Sequence, residues 1–174
     1  MRLARIALAV TGAAWLAVAA PAAQGAADPI AWALATQTAG ATATPGQTIT
    51  LALTATIDEG WHLYAIHLEP GGPVATSITV PEGQIFTSAG DIGEPLPVSS
   101  FDPNFNRVLE YHETKAVFSV PVRASATARP GRQTVRVTAN YQTCNDRLCL
   151  PPREAVVSVE VTILPAGNTR RNAP

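Results

Sequence analysis

Strict alternation of apolar and polar residues constrains the fold of this chain more than any other feature of its sequence. Between Gln47 and Ile57 an apolar side chain stands at every second position, and threonines fill most of the positions between them. Because successive side chains of a β-strand point to opposite faces, this period of two predicts a strand with one buried face. The side chains of that face are Ile49, Leu51, Leu53, Ala55 and Ile57.

Further segments have the composition and spacing of short strands. They are IAWALATQ, WHLYAI, ATSITV, KAVFSVPV, RQTVRVTANY and REAVVSVEVTI, and turns such as PGGP and ARPGR separate several of them. No segment has a convincing amphipathic helical pattern. The sequence therefore predicts an all-β fold, an immunoglobulin-like antiparallel β-sandwich. The prediction concerns architecture alone, because the cysteine–tryptophan–cysteine spacing of antibody domains is absent.

Residues 1–27 have the layout of a secretory signal peptide. Two arginines precede an apolar run over residues 6–20, and small residues follow it. Cleavage fits at several points between Ala22 and Ala27, and a retained N-terminal anchor is the alternative. We therefore expect an exported domain over residues 28–164 and a disordered tail over residues 165–174, which have no apolar pattern.

The charge of the exported part argues against one class of partner. Loss of Arg2 and Arg5 with the signal peptide changes the formal net charge from −1 to −3 and leaves no basic block. Nucleic acid is therefore not an expected partner. The remaining chain is long enough to bury a core without covalent support.

The two cysteines, Cys144 and Cys149, lie in the stretch YQTCNDRLCLPP. A disulfide that closes so short a loop removes only about 2 kcal/mol of unfolded-chain entropy, which makes it a weak staple. A zinc site needs further ligands, and none of the three histidines lies close in sequence. From spacing and compartment, a redox pair and a structural staple both fit, and a metal site fits less well.

The strand phase separates the two thiols. Val135, Val137 and Tyr141 share one face of the predicted strand, and Cys144 falls on the other, away from the main core. Cys149 follows the turn and lies within four residues of Arg147 and Arg153, so we expect it to be the more accessible thiol. For a redox pair, this predicts that Cys149 forms the mixed disulfide with a partner and that Cys144 resolves it.

The histidines have a simpler interpretation. His62 and His67 lie outside any ligand spacing, so both are interpreted as polar-face or loop residues. Tyr111, Glu110 and Glu113 could touch the cysteine pair, but nothing in their spacing marks one of them as an acid or a base.

Three motifs together carry a family resemblance. YQTCNDRLCLPP, GWHLYAIHLEPGGPVATSI and SFDPNFNRVLEYHE resemble the N-terminal periplasmic domain of the thiol:disulfide interchange protein DsbD, and the likeness extends from Ala31 to Ile163. The resemblance implies an immunoglobulin-like fold and a redox-active cysteine pair. It also implies a periplasmic location and exchange without a bound cofactor or metal.

The resemblance further implies partners and a cap. The family takes electrons from a thioredoxin-like domain and passes them to exported oxidoreductases. Because this chain ends where a full-length DsbD continues, we expect its donor to be a separate protein, and a membrane protein is among the expected partners. A cap loop with an aromatic ring covers the pair in the family. The matching stretch here is SFDPNFN, which names Phe105 as the first candidate for the ring, Phe101 as the second, and Asn104 as part of the loop.

Overall fold

The computed structural model describes residues 28–37 and 41–166, and the regular structure in them is entirely β. The predicted signal peptide lies outside the described residues, as does all of the predicted tail beyond Ala166. The strands are β1 (Ile30–Thr36), β2 (Thr42–Ala43), β3 (Thr48–Ile57), β4 (His62–Tyr64), β5 (Ser77–Thr79), β6 (Phe86–Ser88), β7 (Val98–Asp102), β8 (Arg107–His112), β9 (Lys115–Ala124), β10 (Gly131–Tyr141), β11 (Thr143–Cys144) and β12 (Arg153–Ile163).

Two four-stranded sheets enclose the main core. One has the order β1-β3-β9-β6, and the other has the order β2-β12-β10-β5. All pairings are antiparallel except the short β2–β12 pair. Leu53 of β3 lies opposite Phe118 of β9, and both pack in one buried cluster with Val135 of β10. The predicted all-β, immunoglobulin-like sandwich is confirmed.

A third sheet, with the order β11-β4-β8-β7, carries the candidate site. Its strand β4 is buried on both faces: Leu63 belongs to the main core, and Tyr64 belongs to a second, separate cluster. Neighbouring residues of a strand point to opposite faces, so Leu63 and Tyr64 lie in different clusters. Strand β4 therefore links the sandwich to the site.

No helix in residues 28–37 and 41–166 is long and apolar enough to cross a membrane.

Candidate redox site

The two cysteines face each other across a short hairpin, residues 143–150, which we call the cysteine hairpin. Cys144 and Cys149 lie opposite each other as an isolated antiparallel bridge, and their sulfurs form a disulfide. The N–H of Leu150 donates to the carbonyl of Thr143 (2.9 Å) and closes the hairpin on the far side of the pair. The disulfide thus joins neighbours of one hairpin and does not join the two sheets of the sandwich.

Asn145 fixes the turn of this hairpin. Its N–H donates to the carbonyl of Leu148 (3.0 Å), and its side-chain Oδ1 accepts from the N–H groups of Arg147 (2.9 Å) and Leu148 (3.0 Å). Asparagine commonly forms such turns because its short side chain reaches its own backbone two or three residues later. Hydrogen bonds within the NDRL segment therefore form this turn.

The two thiol positions differ in access. Cys144 is completely buried, whereas Cys149 is half-buried. Cys144 lies outside the main core, as the strand phase predicts, because β10 ends at Tyr141 and the chain then pairs with β4 in the third sheet. It is nevertheless shielded from solvent, since it packs in the second apolar cluster. The members of this cluster are Tyr64, Leu109, Tyr111 and Cys144, with Leu68, Phe105 and Cys149 partly buried against it.

The structure places the three candidate cap residues differently. Phe105 lies in the turn between β7 and β8, packs against the second cluster and meets the ring of Tyr64 edge-on at 6.1 Å. Asn104 lies in the same turn, and its Nδ2 donates to the carbonyl of Asn145 (2.7 Å). The turn is therefore tied directly to the cysteine hairpin.

Phe101 is not brought to the cysteines. The stretch SFDPNFN is not a loop throughout, because its first three residues complete β7. Phe101 pairs with Val108 of β8 and is 57% exposed, whereas Asp102 is buried. The period of two explains this, because neighbouring residues of β7 face opposite sides of the hairpin.

The expectation that Phe105 shields the cysteine pair can be tested by removing its ring. The Phe105→Ala variant should speed alkylation of the reduced thiols several-fold, because the ring packs against the same cluster as Cys144 and Cys149. Its stability should fall by about 1 kcal/mol, less than the roughly 3–5 kcal/mol expected for the core truncation Phe118→Ala. Alkylation with iodoacetamide followed by mass spectrometry measures the first effect. The matched control is Phe101→Ala, and equal rates in both variants would remove Phe105 from the site.

A buried polar group, which the sequence interpretation missed, lies beside the cluster. Tyr64 donates its hydroxyl hydrogen to Oδ2 of Asp102 (2.5 Å), and Nε2 of His62 lies 3.2 Å from the Tyr64 hydroxyl and 3.3 Å from the same Oδ2. The N–H of Asn104 donates to the other oxygen, Oδ1 (2.8 Å). The polar-face interpretation is therefore wrong for His62, which is only 6% exposed, whereas His67 is an exposed loop residue as expected.

The environment sets the charges of this group. Burial alone would raise the pKa of Asp102, but hydrogen bonds from Tyr64 and the N–H of Asn104, together with His62, outweigh it and lower the pKa. Burial lowers the pKa of His62, although the Asp102 carboxylate opposes that shift. Burial and the bond to Asp102 raise the pKa of Tyr64. At neutral pH the group therefore combines an anionic carboxylate, a neutral imidazole and a protonated phenol.

One of the two arginines near the cysteines has another partner. Arg153 forms an ion pair with Asp28 (3.4 Å), which also accepts a hydrogen bond from Tyr141. Burial, followed by this hydrogen bond, raises the pKa of Tyr141 to about 12. Part of the positive charge of Arg153 is thus balanced at the start of β1, whereas Arg147 lies exposed in the hairpin turn. The electrostatic support for a thiolate is weaker than the sequence spacing indicates.

In residues 28–37 and 41–166 no three His, Cys, Asp or Glu side chains converge in an arrangement that could hold a metal ion.

Fold and site together define a class of protein. It is an immunoglobulin-like β-sandwich with a disulfide in a short hairpin, beside a turn that carries a phenylalanine. The family model for the N-terminal region of the thiol:disulfide interchange protein DsbD matches residues 31–161, so the chain belongs to that family. This confirms the resemblance carried by the three sequence motifs. Membership and the disulfide together support a role in thiol–disulfide interchange.

Two solved structures are similar to parts of this chain. The chain is 17% identical to the reduced N-terminal domain of DsbD from Neisseria meningitidis, with a TM-score of 0.48, and the match covers 77% of this chain and 86% of that one. It is 16% identical to the N-terminal periplasmic domain of ScsB from Proteus mirabilis, also with a TM-score of 0.48, over 68% of this chain and 43% of that one. No curated protein matches the chain.

Proposed function

We propose that this domain passes reducing equivalents between partner proteins by cycling Cys144 and Cys149 between the dithiol and the disulfide. The observation that carries the proposal is the placement of the pair. The disulfide lies within one hairpin, with one sulfur buried and the other half-buried next to Phe105. It adds nothing to the connection between the two sheets of the sandwich.

The partners follow from the family. A thioredoxin-like protein donates electrons, and exported oxidoreductases accept them. The exchange takes place in the periplasm, which the chain reaches by its N-terminal signal peptide. No bound cofactor is required, because thiol–disulfide exchange needs only a thiolate, access to a partner sulfur and a second thiol.

The chemistry runs through a mixed disulfide. The Cys149 thiolate attacks a partner disulfide and releases one partner sulfur as a thiolate. Cys144 then attacks Sγ of Cys149, the intramolecular disulfide forms, and the second partner sulfur leaves. Two electrons pass from the cysteine pair to the partner, and the two thiol protons end on the partner sulfurs. Electron acceptance from a donor is the same sequence in reverse.

A structural bridge in a non-catalytic binding module is the second candidate, and the complete burial of Cys144 favours it. The two candidates differ in redox potential and in what reduction does to the fold. A working pair should have a potential above about −300 mV, whereas structural disulfides commonly lie below it.

Reversibility is the test of the proposal. The domain should stay folded when it is reduced, and its free energy of unfolding should fall by about 2 kcal/mol, because the closed loop is short. Equilibration with glutathione or dithiothreitol buffers measures the potential, and urea denaturation of both redox states measures the stability. The Cys144→Ala, Cys149→Ala double variant is the control and should also fold. A domain that unfolds on reduction would support the structural bridge instead.

A further inference from the structure

His62 lies directly opposite Cys144. The two residues are Cα partners in the antiparallel pair of β4 and β11. Opposite residues of such a pair project from the same face, with Cβ atoms about 4.5–5.5 Å apart. Both are buried, and they share neighbours: Tyr64 and Tyr111 pack in the cluster that contains Cys144 and also contact the imidazole. The sheet register therefore places an imidazole beside the buried thiol position.

The hydrogen bonds of His62 determine which nitrogen is basic. The hydroxyl hydrogen of Tyr64 is donated to Asp102, so the phenol oxygen and the carboxylate both face Nε2 as acceptors. Nε2 must therefore carry the hydrogen of the neutral ring. The lone pair then lies on Nδ1, and the stacking of the ring on Tyr111 at 4.4 Å holds this orientation.

The resolving step would be helped by a base at this position. Cys144 must lose its proton before it can attack Cys149, and burial in an apolar cluster disfavours the thiolate. The titratable and charged groups that face His62 are Tyr64, Asp102, Tyr111, Glu113, Cys144 and Asp146. The pKa of Asp102 is lowered and that of Tyr64 is raised, so the first is a weak base and the second stays protonated. The pKa of His62 is lowered by burial, which keeps its ring neutral at pH 7.

We propose that His62 is the general base that takes the proton of Cys144 when this thiol resolves the mixed disulfide. The inference rests on the proposed function. In this step the Cys144 Sγ–H bond breaks and the proton moves to Nδ1 of His62. The new thiolate forms the bond to Cys149 Sγ, and the partner sulfur leaves with its electron pair. The proton then returns from His62 to that sulfur, directly or through water. Asp102 is a positioning residue, since it orients the ring through Nε2.

A single-turnover reaction with one equivalent of Ellman's reagent tests the step without a protein partner. Attack by Cys149 on the reagent releases one thionitrobenzoate, and the later attack by Cys144 releases the second. The His62→Gln variant keeps an N–H donor for Asp102 but has no basic nitrogen. We expect its second release to slow about a hundredfold, the low end of a typical general-base contribution, and its first release to stay within about twofold. The matched control is His67→Gln, which changes an exposed histidine and should leave both releases unchanged.

The pH dependence of the second release distinguishes a general base from a residue with a merely structural role, because the latter would not change it. In the wild type the second release should level off between about pH 7 and 8, because the ring is already neutral, and should fall below the ordinary histidine value of 6.5. In His62→Gln it should rise throughout this range, because without the imidazole the thiolate fraction of Cys144 grows as the pH rises. The wild-type pH profile tests the assignment of His62 even if the variant fails to fold.

The outcomes separate the two proposals. If the wild type releases both equivalents but His62→Gln keeps the wild-type rate and pH profile, the assignment of His62 is overturned and the proposed function stands. A wild type whose second release rises steadily with pH likewise overturns the assignment alone. A reduced wild type that releases no thionitrobenzoate overturns both proposals, because the pair then does not attack a disulfide.

Discussion

The Cys144→Ser domain, which keeps Cys149 as its only thiol, should accumulate covalent adducts with thioredoxin-like proteins, whereas the Cys149→Ser domain should trap few. The physical reason is access: Cys144 is completely buried within the second cluster, and Cys149 is half-buried against it. Because the exchange rate depends on access to the sulfur as well as on the thiolate fraction, we expect the yields to differ by about tenfold or more. Non-reducing electrophoresis followed by mass spectrometry measures the adducts.

The probe and its controls show whether an adduct is a mixed disulfide with one of the two cysteines. The probe is a thioredoxin-like protein with its resolving cysteine replaced and its exposed cysteine activated as a thionitrobenzoate disulfide. Adducts must disappear on addition of reductant, and the variant without either cysteine must give none. Adducts that form only through Cys144 would reverse the assignment of roles. If neither single-cysteine variant traps the probe, the structural bridge becomes the better account.

The sequence predicts the sandwich well because its signals are local. In β3 and β10 the alternation alone assigns the buried face, and Leu51, Leu53, Val135 and Val137 are completely buried. The turn of the cysteine hairpin follows from Asn145, whose side chain binds the backbone within three residues. Such features need no knowledge of distant contacts.

The third sheet is harder to predict, because its strands are short and its contacts are distant in sequence. Strand β11 has only two residues, and its pairing partner β4 lies about eighty positions earlier in the chain. The hydrogen bond from Tyr64 to Asp102 joins residues 38 positions apart. One local signal existed: His62 and Tyr64 flank Leu63, so the period of two places them together on one face. What it could not reveal was that this face is buried.

Phe101 also shows that local sequence signals do not predict strand pairing. The Asp-Pro-Asn turn chemistry within SFDPNFN favours a loop over a strand. Strand pairing with β8 overrides this preference for Ser100, Phe101 and Asp102, and only the following residues form the turn. The register then turns Phe101 outward and Asp102 inward. A loop prediction could not distinguish the two positions, although one is exposed and the other is among the most buried polar residues.

The Asp102→Ala variant should lose about 3–5 kcal/mol of its free energy of unfolding at pH 7, measured by urea denaturation. Asp102 is 1% exposed and accepts hydrogen bonds from Tyr64 and from the N–H of Asn104, and it also faces His62. Removing one member of a buried charged network leaves its partners without acceptors, which costs more than the lost bonds were worth. The conservative Asp102→Asn variant keeps one acceptor oxygen, and its free energy of unfolding should fall by about 1–3 kcal/mol.

Acid should reduce the cost of Asp102→Ala, because the stabilising species is the carboxylate. The folded pKa of Asp102 lies below its ordinary value of 3.8, so its charge-dependent contribution is fully present above that value and is lost as the pH falls through the lowered pKa. The stability difference between wild type and variant should therefore narrow at the acid end of a pH series. Asp146→Ala removes an exposed carboxylate from the hairpin turn and should change stability by about 0.5 kcal/mol or less. If Asp102→Ala is no more costly than this control, or if its cost is the same at every pH, the buried carboxylate does not hold His62 and the turn at Asn104 in place.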